Sequence, residues 1–261
     1  MGSLNRTIRL LCIVPISTTG ITEDLVRIYK SRPGLDISFI DGRDLLGCPP
    51  SIENEAHAFE STRAVLPRTV DYISSHTLDG VLVCCFSNHP LVCALRRLVT
   101  IPVTGIFQAA LQEATQHGGK FGIVTTAHAW EKPLTDSVSE LGFGENSAGV
   151  AATGIGPLEL ENLDREVVIN RIAMFSKPLI DKGARSIILG CAGMTALEED
   201  ILAALPPGTR TVDGVRAGIR ILSRLAEETA IVETIPRCID DSKCMGTIHN
   251  TELTSGAAQV L

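Results

Sequence analysis

The sequence predicts an α/β protein of two pseudosymmetric lobes, each a parallel sheet flanked by helices, with the active site in the cleft between them. Three observations carry this. Strand-like and helix-like segments alternate along most of the 261 residues, the pattern of parallel strands joined by crossover helices. A faint repeat relates the halves: Ile13-Val14-Pro15-Ile16-Ser17-Thr18 and Ile123-Val124-Thr125-Thr126 each end an apolar run in hydroxyls. Cys85 follows Thr18 by 67 positions, and Cys191 follows Thr126 by 65. Both cysteines close an apolar run immediately before a helix-start signal.

In chain order, apolar runs predict strands over 8–14, 36–40, 80–85, 102–106, 120–125, 149–152, 185–191 and 209–212. Between them, helices are expected near 21–31, 52–76, 89–98, 107–117, 129–141, 158–182, 195–204 and 214–229, the second broken at Pro67. Gly118-Gly119 reads as a helix stop, and Gly105 and Gly190 permit close packing at strand ends. Asn88-His89-Pro90 supplies a cap and a first-turn proline after Cys85, with Asn88 the expected cap. Thr195-Ala196-Leu197-Glu198 matches a capping box after Cys191. Asp213-Gly214 reads as a cap and turn before the last helix. The expected organisation is a first lobe over 8–105 plus 207–229, a second over 106–206, and a polar tail over 230–261.

Composition narrows the class. With 44% hydrophobic and 20% charged residues, the chain suits a soluble globular protein. A net charge of −7 argues against nucleic acid or an anionic membrane as partner. No apolar run approaches the roughly 18–20 residues of a membrane span, and the start of the chain lacks signal-peptide architecture. Eight cysteines without zinc-type spacing predict reduced thiols, a cytoplasmic location and no metal site.

The chemistry is expected at Cys85 and Cys191. A thiol at the carboxyl end of a strand, facing a helix amino terminus, sits where N–H groups and the dipole favour a thiolate. Two such thiols on equivalent strands suggest an acid and a base facing each other across a substrate. Side chains alternate along a strand, so only one of Cys84 and Cys85 is expected to face the cleft, and the last position is preferred. Ser17, Ser87, Asn88, Thr125 and Thr126 read either as helix caps or as groups that bind a substrate oxygen. Backbone amides around Phe86-Ser87 and Ala192-Gly193 are placed to receive a developing enolate oxygen. His89 lies closest in sequence to a candidate thiol, in a position where a surface role is commoner. Gly154-Ile155-Gly156 lacks a third glycine and Pro157 interrupts it, so dinucleotide binding is poorly supported.

The chain resembles the aspartate/glutamate racemase superfamily, specifically its hydantoin racemase branch, fungal members included. Six segments carry the resemblance. They are Cys85-Phe86-Ser87-Asn88-His89-Pro90, Pro102-Val103-Thr104-Gly105-Ile106, Ile123-Val124-Thr125-Thr126, Leu189-Gly190-Cys191-Ala192-Gly193-Met194, Val212-Asp213-Gly214-Val215 and Pro49-Pro50-Ser51-Ile52-Glu53. The resemblance implies two pseudosymmetric lobes, homo-oligomers, no cofactor, and a small-molecule substrate with an acidic C–H next to a carbonyl. It places proton exchange on Cys85 and Cys191. Two departures stand out. Val14 and Ile16 replace asparagines usual at the first strand's end, making that wall more apolar, and Gln108 replaces an acidic residue. Besides a hydantoin-type racemase, the sequence leaves open an isomerase or decarboxylase acting on a larger or less polar carbonyl compound. It also leaves open a ligand-binding protein without turnover.

Overall fold

The computed structural model describes residues 7–228. The expected tail over 230–261, with Cys238 and Cys244, lies outside the described residues. Eight strands form two four-stranded parallel sheets. The first comprises β1 (Ile8–Val14), β2 (Leu35–Asp41), β3 (Gly80–Val83) and β4 (Val103–Gly105), in the order β2-β1-β3-β4. The second comprises β5 (Lys120–Thr125), β6 (Ser147–Ala152), β7 (Ala184–Gly190) and β8 (Arg210–Asp213), in the order β6-β5-β7-β8. The two halves share one topology, as the repeat predicts. Their apolar runs suit strands buried on both faces, and in β1 every residue after Arg9 is buried.

Helices α1 (Gly20–Ile28), α2 (Glu55–Ser75), α3 (Pro90–Leu98) and α4 (Ile106–Gln116) follow the strands of the first half. In the second half come α5 (Glu131–Glu140), α6 (Glu159–Asn162), α7 (Arg165–Asp181), α8 (Glu198–Ala204) and α9 (Gly214–Glu227). Helices α4 and α9 pack on each other, and each touches strands of both sheets. One apolar core therefore runs from Leu10, Cys12 and Leu82 through Phe107 and Leu222 to Ile123 and Ile188. The outer faces are covered separately. Leu91, Val92 and Leu95 of α3 lie over Ile13, Val81 and Val83, while Val168, Ile172 and Leu179 of α7 lie over Ile187 and Leu189.

Several local expectations are corrected. Helix α2 runs unbroken through Pro67. Pro67 and Arg63, whose carbonyl loses its partner, both lie on the solvent face, so the freed group is open to solvent while Ala58, Ser61, Val65 and Thr69 stay packed. The expected 158–182 helix is two. Asp164 interrupts it and caps α7, its Oδ1 accepting from the N–H of Glu166 at 2.8 Å. The 207–229 segment is shared between the lobes: β8 pairs with β7 in the second sheet, and α9 packs across to β1 and β3. Among the described residues no helix is long and apolar enough to cross a membrane.

Candidate active site

The carboxyl ends of β1, β3, β5 and β7 converge on one cavity, as ligand sites in parallel α/β sheets do. Val14, Pro15 and Ile16 after β1 form one wall, and Cys84, Cys85 and Phe86 after β3 another. Facing them are Thr125 at the end of β5 and Gly190, Cys191 and Ala192 at the end of β7. Ile21, Ser51, Ile52, Trp130 and Pro157 close the remainder. The volume is about 50 Å³. One water needs about 10–15 Å³ on this measure, so the space suits a small organic molecule.

The sheet registers make the two cysteines structural equivalents. Val83 pairs with Ile13 on β1, and Leu189 pairs with Val124 on β5. Cys85 and Cys191 each lie two residues further on. Both are half-buried free thiols on the cavity wall. A charge on Cys191 is felt at Cys85. The same registers correct the hydroxyl repeat: Val14, not Ser17, corresponds to Thr125. Cys84 corresponds to Gly190, where a Cβ would fall 2.6 Å from the Val124 carbonyl oxygen. Sheet β5–β7 therefore tolerates only glycine there, whereas β3 leaves room for a side chain.

Each sulfur has a local partner. Cys85 Sγ lies 3.6 Å from the Ser87 hydroxyl, and Cys191 Sγ accepts from the Gly193 N–H at 3.4 Å. These contacts hold back, without reversing, the effect of burial. Burial pushes the Cys85 thiol up to about 12 and Cys191 up to about 11, with Cys191 and Glu161 respectively adding to the rise. The expected lowering by helix termini is corrected. Helix α3 begins only at Pro90, and a 3₁₀ turn over Ala192–Leu197 follows Cys191, so dehydration outweighs the dipole. The capping assignments change too. His89, not Asn88, caps α3, its Nδ1 accepting from the Leu91 N–H at 3.3 Å. Cys191 itself caps the 3₁₀ turn, and no capping box forms at Thr195, since α8 begins after Leu197 with no side-chain cap.

Cys84 is buried and hydrogen-bonded to Cys12, which raises its pKa along with desolvation. Behind them Asp213 caps α9 through the N–H groups of Val215 and Arg216 and accepts from Tyr29 Oη at 2.7 Å.

Of the sequence-expected site residues, Cys85, Phe86, Thr125, Cys191 and Ala192 line the cavity. Ser87 and Gly193 contact the sulfurs but do not line the cavity. Ser17 has its N–H engaged by the Pro49 carbonyl, Thr126 is buried with its carbonyl accepting from Gly154, and Asn88 is exposed. None of these three lines the cavity. Gln108 also stands away, accepting from Arg96. Sequence reasoning overlooked Ile21, Trp130 and Pro157 as site residues. Trp130 had a signal, being the only tryptophan in a chain with 4% aromatics. Pro157 carries no signal of its own in the sequence beyond interrupting a glycine motif. Among the described residues no group of three or more His, Cys, Asp or Glu gathers in metal-binding geometry.

A family model described as Asp/Glu/Hydantoin racemase matches residues 10–222. The chain belongs to this racemase family. Membership makes it an enzyme of the isomerase class. A protein of Schizosaccharomyces pombe is 35% identical over 228 residues, 84% of this chain and 92% of its own. The hydantoin racemase of Pseudomonas sp. (strain NS671) is 26% identical over 219 residues, 82% of this chain and 84% of its own. The solved allantoin racemase from Pseudomonas fluorescens shares the fold with a TM-score of 0.76 at 24% identity, over 94% of this chain and 99% of that one. The racemase family thus accounts for the two-lobe architecture and for a cleft that takes a small molecule.

Proposed function

We propose that the chain is a cofactor-independent racemase that inverts the stereocentre next to a carbonyl in a hydantoin-type cyclic ureide. Cys85 and Cys191 serve as the acid–base pair. The carrying observation is that the two thiols occupy equivalent positions in the two sheets and line one cavity. A thiolate on one side takes the C–H proton, and the C–H electron pair moves toward the carbonyl oxygen. The thiol opposite gives its S–H proton to the other face. The product leaves with the thiol and thiolate exchanged, so the reverse reaction starts from the mirror state.

The raised thiol pKa values suit this chemistry. Fewer thiolates exist at neutral pH, but each is a stronger base toward a weakly acidic carbon. Every unit gained improves the proton-transfer equilibrium by about 1.4 kcal/mol. The Ser87 N–H is engaged by the Cys85 carbonyl and the Gly193 N–H by Cys191 Sγ. Phe86 and Ala192, both on the cavity wall, are therefore the amides assigned to the enolate oxygen.

The lining favours a neutral ring over a free amino acid. Among the described residues that line the cavity none is Lys, Arg or His, so a carboxylate has no cation to meet. A ureide instead brings N–H donors. The Thr125 hydroxyl, which donates to the Gly190 carbonyl, and the Ser51 hydroxyl, which donates to Glu53, keep lone pairs to accept them. The hydantoin and allantoin racemases among the relatives support the same substrate class.

The test is loss of optical rotation by an enantiopure 5-substituted hydantoin, with no cofactor or metal added. Decay well above the buffer rate is expected. Decay at the buffer rate across a panel of such rings overturns the substrate class.

A further inference from the structure

Trp130 is the residue shared by the walls of two spaces. Its buried indole walls the cysteine cavity on one side. On the other side it walls a second chamber of about 80 Å³, built by Ala58 and Phe59 of α2, Ser87 and Asn88 of the cysteine loop, and Pro133 and Leu134 of α5. Phe59 and Asn88 are exposed, so this chamber reaches the surface. Trp130 is held at two points, one on its backbone and one on its indole. Its backbone N–H donates to Ala127 at 3.0 Å, and Nε1–H donates to the Ile52 carbonyl at 3.3 Å, joining the second half of the chain to a loop of the first.

We infer that Trp130 is the residue that sets substrate size, blocking the passage from the cysteine cavity into the second chamber and confining the wild-type enzyme to rings with a short substituent. The inference rests on the hydantoin reading and adds to it the length of the group on the reacting carbon. The cysteine cavity, at about 50 Å³, is the tighter of the two spaces. The second chamber carries Glu55, Asn88 and Ser137 but is apolar along Ala58, Phe59, Pro133 and Leu134, a wall that matches an alkyl or aryl arm.

The experiment compares 5-methylhydantoin with 5-benzylhydantoin, by turnover and by calorimetric binding, on wild type, Trp130→Ala, Trp130→Leu and Trp130→Phe. Taking the ratio of the two compounds on one preparation removes any difference in folded fraction. Wild type should favour the methyl compound. Trp130→Ala and Trp130→Leu should each shift the ratio toward the benzyl compound by at least about tenfold, the scale for relieving a misfit of a methylene or more. Trp130→Phe keeps a ring in the passage while losing the bond to Ile52, and should keep the wild-type preference. An unchanged ratio in both Trp130→Ala and Trp130→Leu overturns the inference while leaving the hydantoin reading standing. A shift in Trp130→Phe as large as in Trp130→Ala also overturns it, because the clasp to Ile52 would then govern selectivity. Wild type that neither binds nor inverts either compound overturns the hydantoin reading and this inference together.

Discussion

Cys85 and Cys191 stand at matching register positions, each two residues beyond a strand residue paired to the central strand of its sheet, Val83 to Ile13 and Leu189 to Val124. The equivalence suits a two-base inversion, in which each sulfur serves as base in one direction and acid in the other. Their environments are similar but not identical, with a hydroxyl beside one sulfur and an amide beside the other.

The rate should climb with pH. Burial holds Cys85 at about 12 and Cys191 at about 11, so the free enzyme near neutrality carries few thiolates. A kcat/KM profile, which reports the free enzyme, should rise about tenfold per unit from pH 7 to 9 without a plateau. A plateau reached by pH 8 would mean that one thiol is far more acidic than its burial implies.

Cys84 should matter for stability more than for turnover. It is buried beside Cys12, and its sulfur comes no closer than 3.9 Å to the Leu82 carbonyl. Cys84→Ser replaces a thiol bonded to Cys12 and the Leu82 carbonyl with a smaller, more polar hydroxyl in a buried site and should cost about 1–3 kcal/mol, read from urea melts, with kcat near the parent value. Loss of turnover with unchanged stability would move the base to Cys84.

His89 should make the fold acid-sensitive. Burial lowers its pKa from 6.5 to about 3, so the unfolded chain takes up a proton that the folded chain refuses. Its contribution is complete above pH 6.5 and is lost as pH falls toward 3, at up to about 1.4 kcal/mol per pH unit. His89→Asn keeps a capping oxygen for the Leu91 N–H and should flatten this slope in denaturant melts run from pH 4 to 7. Equal slopes in both proteins would remove His89 as the source.

Much of this was legible in the sequence wherever local pattern decides structure. The limits of β1 and β5 follow from their apolar runs, and the shared strand order of the sheets follows from the repeat. Element ends were harder, because tertiary contacts compete with local signals. His89 takes the cap that Asn88 offers, and Cys191 caps its turn four residues ahead of the expected Thr195 box. The cavity's far walls were least legible. Ser51, Ile52 and Pro157 line the cavity from loops and Trp130 from the 3₁₀ turn before α5, brought there by the meeting of two sheets rather than by any spacing. The hydroxyl repeat misled by three positions because Val14, one residue beyond Ile13, is the structural counterpart of Thr125, one residue beyond Val124.

The most direct measurement follows solvent deuterium into each enantiomer of a 5-substituted hydantoin, using Cys85→Ser and Cys191→Ser in heavy water. Each variant keeps one base, so each should label a single enantiomer, the two variants should choose opposite ones, and neither should invert the ring. Full inversion by either variant, or labelling of the same enantiomer by both, would contradict a pair of thiols acting from opposite faces.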